Sequence, residues 1–399
     1  MTKCDPFALS LGVAAMAWKL ARPARRPPPA PAQDRAGAPG ISVVIPSRQG
    51  RHLLERMLPA VEAGLADGEI LVIDNGSSDG TEQYLRCEHP SVLVETHSAP
   101  LSFARAVNRG ARLAQRARLC LLNNDMEIEP GFFRALEAAF DEDPNLFCAS
   151  AQIFFPHGAR REETGKTAMR RPHSLTPNDY PVFCPEPLPG EDFSPVLYGS
   201  GGCSLYDREK FLALGGLDEI YEPAYVEDLD LGYRAWLRGW SSMYMAGARV
   251  LHRHRATSSR FYSEAELGRL LDRNHVRFLL RAVQSMDTFL PYYRHAMTRL
   301  PLTDPAEAFR LASPARIAAD RSEREILDLT CGAVRVFPGA KPDGACCLGY
   351  CRPGAAPRHD LLEQFHRVIL VDGNAGHRVF QAARNELRRR YPRKEIVER

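Results

Sequence analysis

Two apolar runs of this chain end in groups that could hold a nucleotide or a metal. Glu69-Ile-Leu-Val-Ile73 runs into Asp74-Asn75-Gly76-Ser77-Ser78-Asp79-Gly80, and Leu119 to Leu122 runs into Asn123-Asn124-Asp125. A third run, Ile41 to Ile45, ends in Pro46-Ser47-Arg48. In an open parallel sheet ligands sit beyond the carboxyl ends of the strands, so these clusters share one edge. Turn and cap chemistry accounts for Ser78, Asp79 and Gly80. It does not account for acidic residues that close two apolar strands. A carboxylate there can bond a base or a ribose, or hold a divalent cation.

A second kind of chemistry lies in Glu227-Asp-Leu-Asp-Leu231. As a helix from Glu227 to Trp240, this stretch places Leu229, Tyr233, Trp236 and Trp240 in one apolar stripe facing the core. Asp228 and Asp230 then point to opposite sides. Asp230 lies four residues before Arg234 and can pair with it. Asp228 has no such partner and is available as a base. Glu227 and Asp228 also suit the positive end of a helix, which is the purely structural reason for acids at that place.

The elements that must position these groups alternate. Short apolar runs at 41–45, 69–73, 91–95 and 119–122 are separated by helical patterns at 52–65, 79–86 and 103–117. This predicts an α/β fold with a mainly parallel sheet flanked by helices. A helix at 131–141 and an apolar run at 146–155 follow. Residues 156 to 198, rich in prolines and charges, read as a long loop of the kind that forms lids or binding surfaces. Order resumes at 199–206, then helices at 207–214 and 227–240, strands at 243–245 and 249–251, and a long amphipathic helix at 264–282. Beyond about residue 300, strands at 326–329 and 368–371 and a helix at 379–389 mark a poorly defined extension. The chain divides into an N-terminal segment with a Pro-rich linker (1–40), a main domain (41–290) and a C-terminal extension (291–399).

Bulk properties narrow the function. Of 399 residues, 52 are basic and 49 acidic, a net charge of +3, which gives no footprint for nucleic acid. Cys120, Cys148 and Cys203 sit inside apolar runs and read as small buried hydrophobes. Cys331, Cys346, Cys347 and Cys351 contain no CxxC pair with which to build a zinc site. The apolar run from Phe7 to Trp18 is shorter than the roughly 20 residues that span a bilayer, and most of its basic neighbours follow it. It has the size of a short helix lying on a membrane surface, and a cytoplasmic or peripheral location is expected.

The motifs, taken together, resemble a known family. Val43-Val-Ile-Pro-Ser47, Val72-Ile-Asp-Asn-Gly-Ser-Ser-Asp-Gly-Thr81, Leu122-Asn-Asn-Asp125 and Glu227-Asp-Leu-Asp-Leu231 occur in the order and spacing of family 2 glycosyltransferases, with Gly199-Ser-Gly-Gly-Cys-Ser-Leu205 before the last. The resemblance covers residues 41 to about 281 and implies the GT-A, nucleotide-diphospho-sugar transferase fold. It implies that Pro46, Ser47 and Asp74 contact the nucleoside, with Asp74 accepting from the base, and that Asn108 lines the same pocket. Asn123, Asn124 and Asp125 replace the family's Asp-x-Asp, with Asp125 on Mg2+ or Mn2+. Asn123 leaves one charge fewer to hold that metal. His252 matches a further metal ligand, with His254 a rival for the place. Asp228 becomes the catalytic base, with Glu227 beside it on the acceptor side.

The activity so implied is inverting transfer of a sugar from a UDP-, dTDP- or GDP-sugar to a hydroxyl of a saccharide or lipid-linked acceptor, in polysaccharide or glycoconjugate synthesis. A diphosphate leaves as an anion, and a divalent cation bound through oxygen neutralises it. Two other readings compete. A nucleotidyltransferase on the same fold needs a Gly-rich basic loop where Pro46-Ser-Arg-Gln-Gly50 stands. A non-catalytic sugar-nucleotide binder or scaffold has no use for Asp125 and Asp228 together. A dehydrogenase is excluded, because no GxGxxG follows the first strand.

Overall fold

A computed structural model describes residues 37–142, 146–156, 193–238, 240–253, 261–282 and 286–300, with shorter pieces at 24–25, between 165 and 184, and from 318 onward. Phe7–Trp18, Ile326–Leu329, Cys331, Cys351 and most of 379–389 lie outside the described residues.

The elements run β1 (Ala38–Ser47), α1 (Arg51–Gly64), β2 (Gly68–Asp74), α2 (Thr81–Glu88), β3 (Leu93–Thr96), α3 (Phe103–Leu113), β4 (Arg116–Leu122), β5 (Met126–Ile128), α4 (Phe132–Glu142), β6 (Leu146–Phe154), β7 (Phe193–Val196), β8 (Cys203–Asp207), α5 (Arg208–Ala213), α6 (Glu227–Leu237), β9 (Ser241–His252), α7 (Glu264–Ala282) and α8 (Met286–Arg299). Among the described residues one nine-stranded sheet has the order β7-β9-β6-β8-β4-β1-β2-β3, with β5 paired to β9. β4, β1, β2 and β3 are mutually parallel, as are β6 and β9. β8 enters antiparallel between β4 and β6, and β5 and β7 are antiparallel to β9.

The apolar runs are continuous because both faces are covered. Along β1, Val43 and Ile45 enter the core beneath α1 and α4, with Leu54, Met57, Leu58, Phe132 and Leu136. Val44 points the other way, among Val107 and Ala111 of α3, Phe211 of α5 and Leu231 of α6. Each of these large apolar side chains contributes about 1.5–3 kcal/mol when fully buried. α3 lies so close to β1 that a Cβ on Gly110 would stand 2.3 Å from Val44 Cγ1.

Three sequence expectations shift. β1 begins at Ala38, whose amide bonds to the Gln115 carbonyl, so the ordered domain starts before Ile41. The two short strands expected at 243–245 and 249–251 are one strand, β9, whose register breaks between Met245 and Arg249. α8 runs past residue 290, with Phe289, Tyr292 and Tyr293 buried and Arg299 paired to Asp272 of α7. The strand expected at 368–371 is present as Arg367–Val371, between Cys346–Gly349 and Glu395–Glu398 in a parallel three-stranded sheet.

Candidate active site

At the carboxyl edge of β1, β2 and β4 lies a cavity of about 420 Å³. Pro46, Ser47 and Arg48 reach its wall from the end of β1, Asn75 from the end of β2, and Asn123, Asn124 and Asp125 from the turn after β4. Glu227 and Asp228, the first two residues of α6, and His252, the last of β9, complete the polar lining. The long loop contributes Gly165, Val182, Cys184 and Tyr198.

The strand ends are tied to one another. Asn124 donates from Nδ2 to Ser47 Oγ at 2.9 Å. Asp125 is 7% exposed; its Oδ1 is buried without a hydrogen-bond partner, and its Oδ2 lies 3.4 Å from His252 Nε2. The backbone joins the same pair of elements, because Arg253 N–H donates to the Asp125 carbonyl. A buried carboxylate oxygen with no donor is costly by itself and calls for a cation or a ligand hydrogen. Among the described residues no cluster of three or more His, Cys, Asp and Glu surrounds it. Asp125 and His252 therefore fit a Mg2+ or Mn2+ that takes most of its ligands from water and substrate phosphates, as those cations do. His254 lies outside the described residues.

Asp228 is held as well as placed. Its Oδ2 accepts from Gly201 N–H at 3.1 Å and its Oδ1 from Leu229 N–H at 2.8 Å. The sequence expectation of a side chain without partners is thereby corrected. One donor comes from the helix start and the other from Gly201, and together they fix the carboxylate. Glu227 is 5% exposed and its Oε2 has no partner. Burial first, and the neighbouring Asp228 charge second, raise its carboxyl well above the usual range. The two adjacent carboxyls are thus split in character, one hydrogen-bonded by amides and one favouring its proton.

Gly199-Ser-Gly-Gly202 joins the two polar groups. Gly201 donates to Asp228, and the Gly202 carbonyl accepts from Asn123 N–H at 2.8 Å. A Cβ on Gly202 would stand 2.6 Å from Asn123 Nδ2. A side chain there would have to displace the Asn123 amide.

Asp230 points away from the cavity, as the helical wheel predicts. It is fully buried and accepts from Arg234, Arg281 and the Tyr221 hydroxyl. Burial alone would raise its carboxyl; Arg281 and then Arg234 bring it below the usual range. α7 grips the segment before α6 with one face. Asn274 Nδ2 contacts the carbonyls of Tyr221, Ala224 and Tyr225 at 2.8–2.9 Å, Arg277 donates to the Ile220 carbonyl, and Arg281 pairs with Asp218 and Asp230. Tyr225 and Val226 in that segment have φ of +77° and +76°. Such values are sparsely populated for any side chain and strained for a β-branched one.

Two expected pocket residues lie elsewhere. Asn108 spends both ends of its amide on Leu217, donating to the carbonyl and accepting from the N–H at 2.8 Å each. It is buried under α3 and clasps the turn after α5 instead of lining the cavity. Asp74 is also off the wall; its carboxylate accepts from Ser77 N–H and closes the turn, and burial raises its pKa. Asn75 takes the position on the wall, its amide paired both ways with Leu101. Sequence reasoning gave no role to Arg48, Tyr225, Phe261 or His275, all on the lining. Arg48 was findable as the cation beside Ser47; the others come from segments distant in the chain.

The cavity lies beyond the carboxyl ends of the parallel strands, where open α/β sheets bind ligands, and the Gly201–Gly202 backbone joins Asp228 to the turn that carries Asn123 and Asp125. The family model described as "Glycosyl transferase family 2" matches residues 42–215. An N-acetylglucosaminyl-diphospho-decaprenol L-rhamnosyltransferase of Mycobacterium tuberculosis is 31% identical over 242 residues, 54% of this chain and 76% of that protein. The O-antigen biosynthesis protein RfbC of Myxococcus xanthus is 26% identical over 270 residues, 63% of this chain but 21% of that protein. The crystal structure of GalNAc-T7 with UDP, GalNAc and Mn2+ aligns at a TM-score of 0.46 and 19% identity, over 68% of this chain and 54% of that one. The chain belongs to glycosyl transferase family 2 and is a glycosyltransferase of glycoconjugate synthesis. Among the described residues no helix is long and apolar enough to cross a membrane.

Proposed function

We propose that this glycosyltransferase inverts the anomeric centre as it moves a sugar from a nucleoside-diphosphate donor to a hydroxyl of a lipid-linked saccharide. The observation that carries the reading is the pairing of two differently prepared carboxylates on one cavity. Asp125 presents a buried oxygen without a partner, and Asp228 presents one fixed by amides. The acceptor class follows the Mycobacterium tuberculosis relative, whose name specifies a sugar on a diphospho-polyprenol. A bilayer-borne acceptor brings the enzyme to the membrane surface.

Asp125 and His252 would hold Mg2+ or Mn2+, which, when bound, stabilises the negative charge of a departing diphosphate. Asp228 takes the proton of the acceptor hydroxyl as its oxygen attacks the anomeric carbon and the bond to the diphosphate breaks. One base and one stabilised leaving group suffice for inversion, and the third carboxylate, Asp230, is committed to Arg281 and Arg234. Glu227, favouring its proton, stands beside the base as a hydrogen-bond donor toward the acceptor. Ser47 and Pro46, with Asn75, form the nucleoside side of the cavity.

The test uses UDP-, dTDP- and GDP-sugars with a GlcNAc-diphospho-polyprenol acceptor and manganese. Wild type yields a β-linked product from an α-linked donor, read by NMR. Asp228→Asn lowers turnover by roughly 10²–10⁴-fold with donor affinity nearly intact. A product that keeps the anomeric configuration of its donor, or wild-type turnover in the variant, rejects the mechanism.

A further inference from the structure

Arg48 is a cation on the cavity wall. Its guanidinium carbon lies 3.9 Å from the centre of the Phe261 ring. Its Nε is hidden from solvent and has no hydrogen-bond partner, and no ion pair to it occurs among the described residues. Several other arginines are paired. Arg51 is paired with Glu55, Arg105 with Glu219 and Glu222, Arg253 with Glu127, and Arg281 with Asp218 and Asp230. The cavity carries the carboxylates of Asp125, Glu227 and Asp228, and Arg48 pairs with none of them.

We propose that Arg48 binds a phosphate oxygen of a diphosphate in the cavity. The chemistry is specific to this side chain. The Phe261 ring covers one side of the guanidinium. The N–H groups along its edge are then the means left for bonding, and a planar fork of donors matches the oxygens of a phosphate. A buried charged donor without an acceptor is unfavourable until such an anion arrives. The position supports the same conclusion. Arg48 follows Ser47, and Ser47 holds Asn124, the neighbour of Asp125. The cation therefore belongs to the same strand-end cluster as the orphaned carboxylate oxygen. Phe261, 36% exposed, precedes α7 on the same cavity lining.

The inference rests on the proposed function, in which two diphosphates come to this cavity, that of the donor and that of the lipid-linked acceptor. The shared chemistry is the phosphate oxyanion, and the experiment separates the sources. Titration calorimetry with manganese compares uridine with UDP, thymidine with dTDP and guanosine with GDP, on wild type and on Arg48→Gln. Donor-phosphate binding predicts that the preferred nucleoside diphosphate loses about tenfold or more in affinity while its nucleoside changes less than about twofold. Acceptor-phosphate binding predicts unchanged nucleotide affinity and a similar rise in KM for the diphospho-lipid acceptor, with no rise for the same saccharide lacking phosphate. Phe261→Leu, which removes the ring and keeps the charge, gives a smaller loss in the same arm. Thermal melts and Arg48→Lys control for folding.

Unchanged nucleotide affinity together with unchanged acceptor KM overturns the assignment. So does an equal loss for nucleoside and diphosphate, which would make Arg48 a partner of the base. Both outcomes leave the glycosyltransferase reading standing, provided wild type binds a nucleoside diphosphate with manganese. A wild type that binds none of the three refutes that functional reading itself.

Discussion

Arg281 of α7 and Asp230 of α6 meet out of contact with solvent, Nη1 to Oδ1 at 2.6 Å, both side chains fully buried. The bond joins the long helix to the helix that starts with Glu227 and Asp228. Asp230 also holds Arg234, whose other donors reach the carbonyls of Leu214 and Gly216. One buried carboxylate thus fixes α6 against both α7 and the turn after α5.

Removing the cation from this pair leaves a buried carboxylate short of a partner. Arg281→Leu is expected to destabilise by about 3–5 kcal/mol, read from denaturant midpoints. The pH dependence has a definite sign. The Asp230 pKa is lowered in the folded protein, so its contribution is present above the unfolded value, near 3.8, and fades as pH falls through the lowered folded value. The stability gap between wild type and Asp230→Asn should therefore narrow on acidification below that point.

Asn274 is expected to act on turnover. Its amide holds three carbonyls of a segment that contains two residues at positive φ, and that segment leads directly into Glu227. Asn274→Ala frees the segment to relax and misplaces Asp228. The expected result is a lower kcat with nucleotide affinity within about twofold, alongside a stability loss of about 1–3 kcal/mol for unsatisfied carbonyls. A variant that loses stability and keeps kcat would show that the clasp only supports the fold.

Glu227 gives the opposite pH sign to Asp230. Its pKa is raised, so the folded protein binds a proton that the unfolded chain has released once pH exceeds about 4.5. Wild-type stability contributed by this group is present below that value and is lost as pH rises through the raised folded value. Glu227→Gln lacks the titration. Its melting temperature should gain on wild type as pH increases over that window, measured in parallel melts without metal.

Asp125→Asn keeps the shape of the side chain and removes its charge. Manganese should raise the nucleoside-diphosphate affinity of wild type and have little effect on the variant, as titration calorimetry would show. Thermal melts should place the two proteins close together, because the Asp125 Oδ1 makes no hydrogen bond in the fold. Equal manganese enhancement in both would move the metal away from Asp125.

The local sequence determined the elements and the residues at their ends. Continuous apolar runs specify strands covered on both faces, and polar groups that close them mark one edge; Ser47, Asn124, Asp125 and His252 reach the cavity from such places, and Asp228 from the start of α6. Spacing on a helix was enough to turn Asp230 from Asp228, because the period is fixed by the backbone. Spacing could not tell which buried amide faces a ligand. Asn108 pairs with Leu217, 109 residues away, and Asp74 closes its own turn, so Asn75 takes the wall. Nor could it show that Gly201 and Gly202 bridge Asp228 and the turn after β4, that Asn274 clasps the segment before α6, or that Phe261 covers Arg48. Except for the local turn at Asp74, these hydrogen bonds and close approaches are settled only between elements brought together in space, whose partners come from distant parts of the chain.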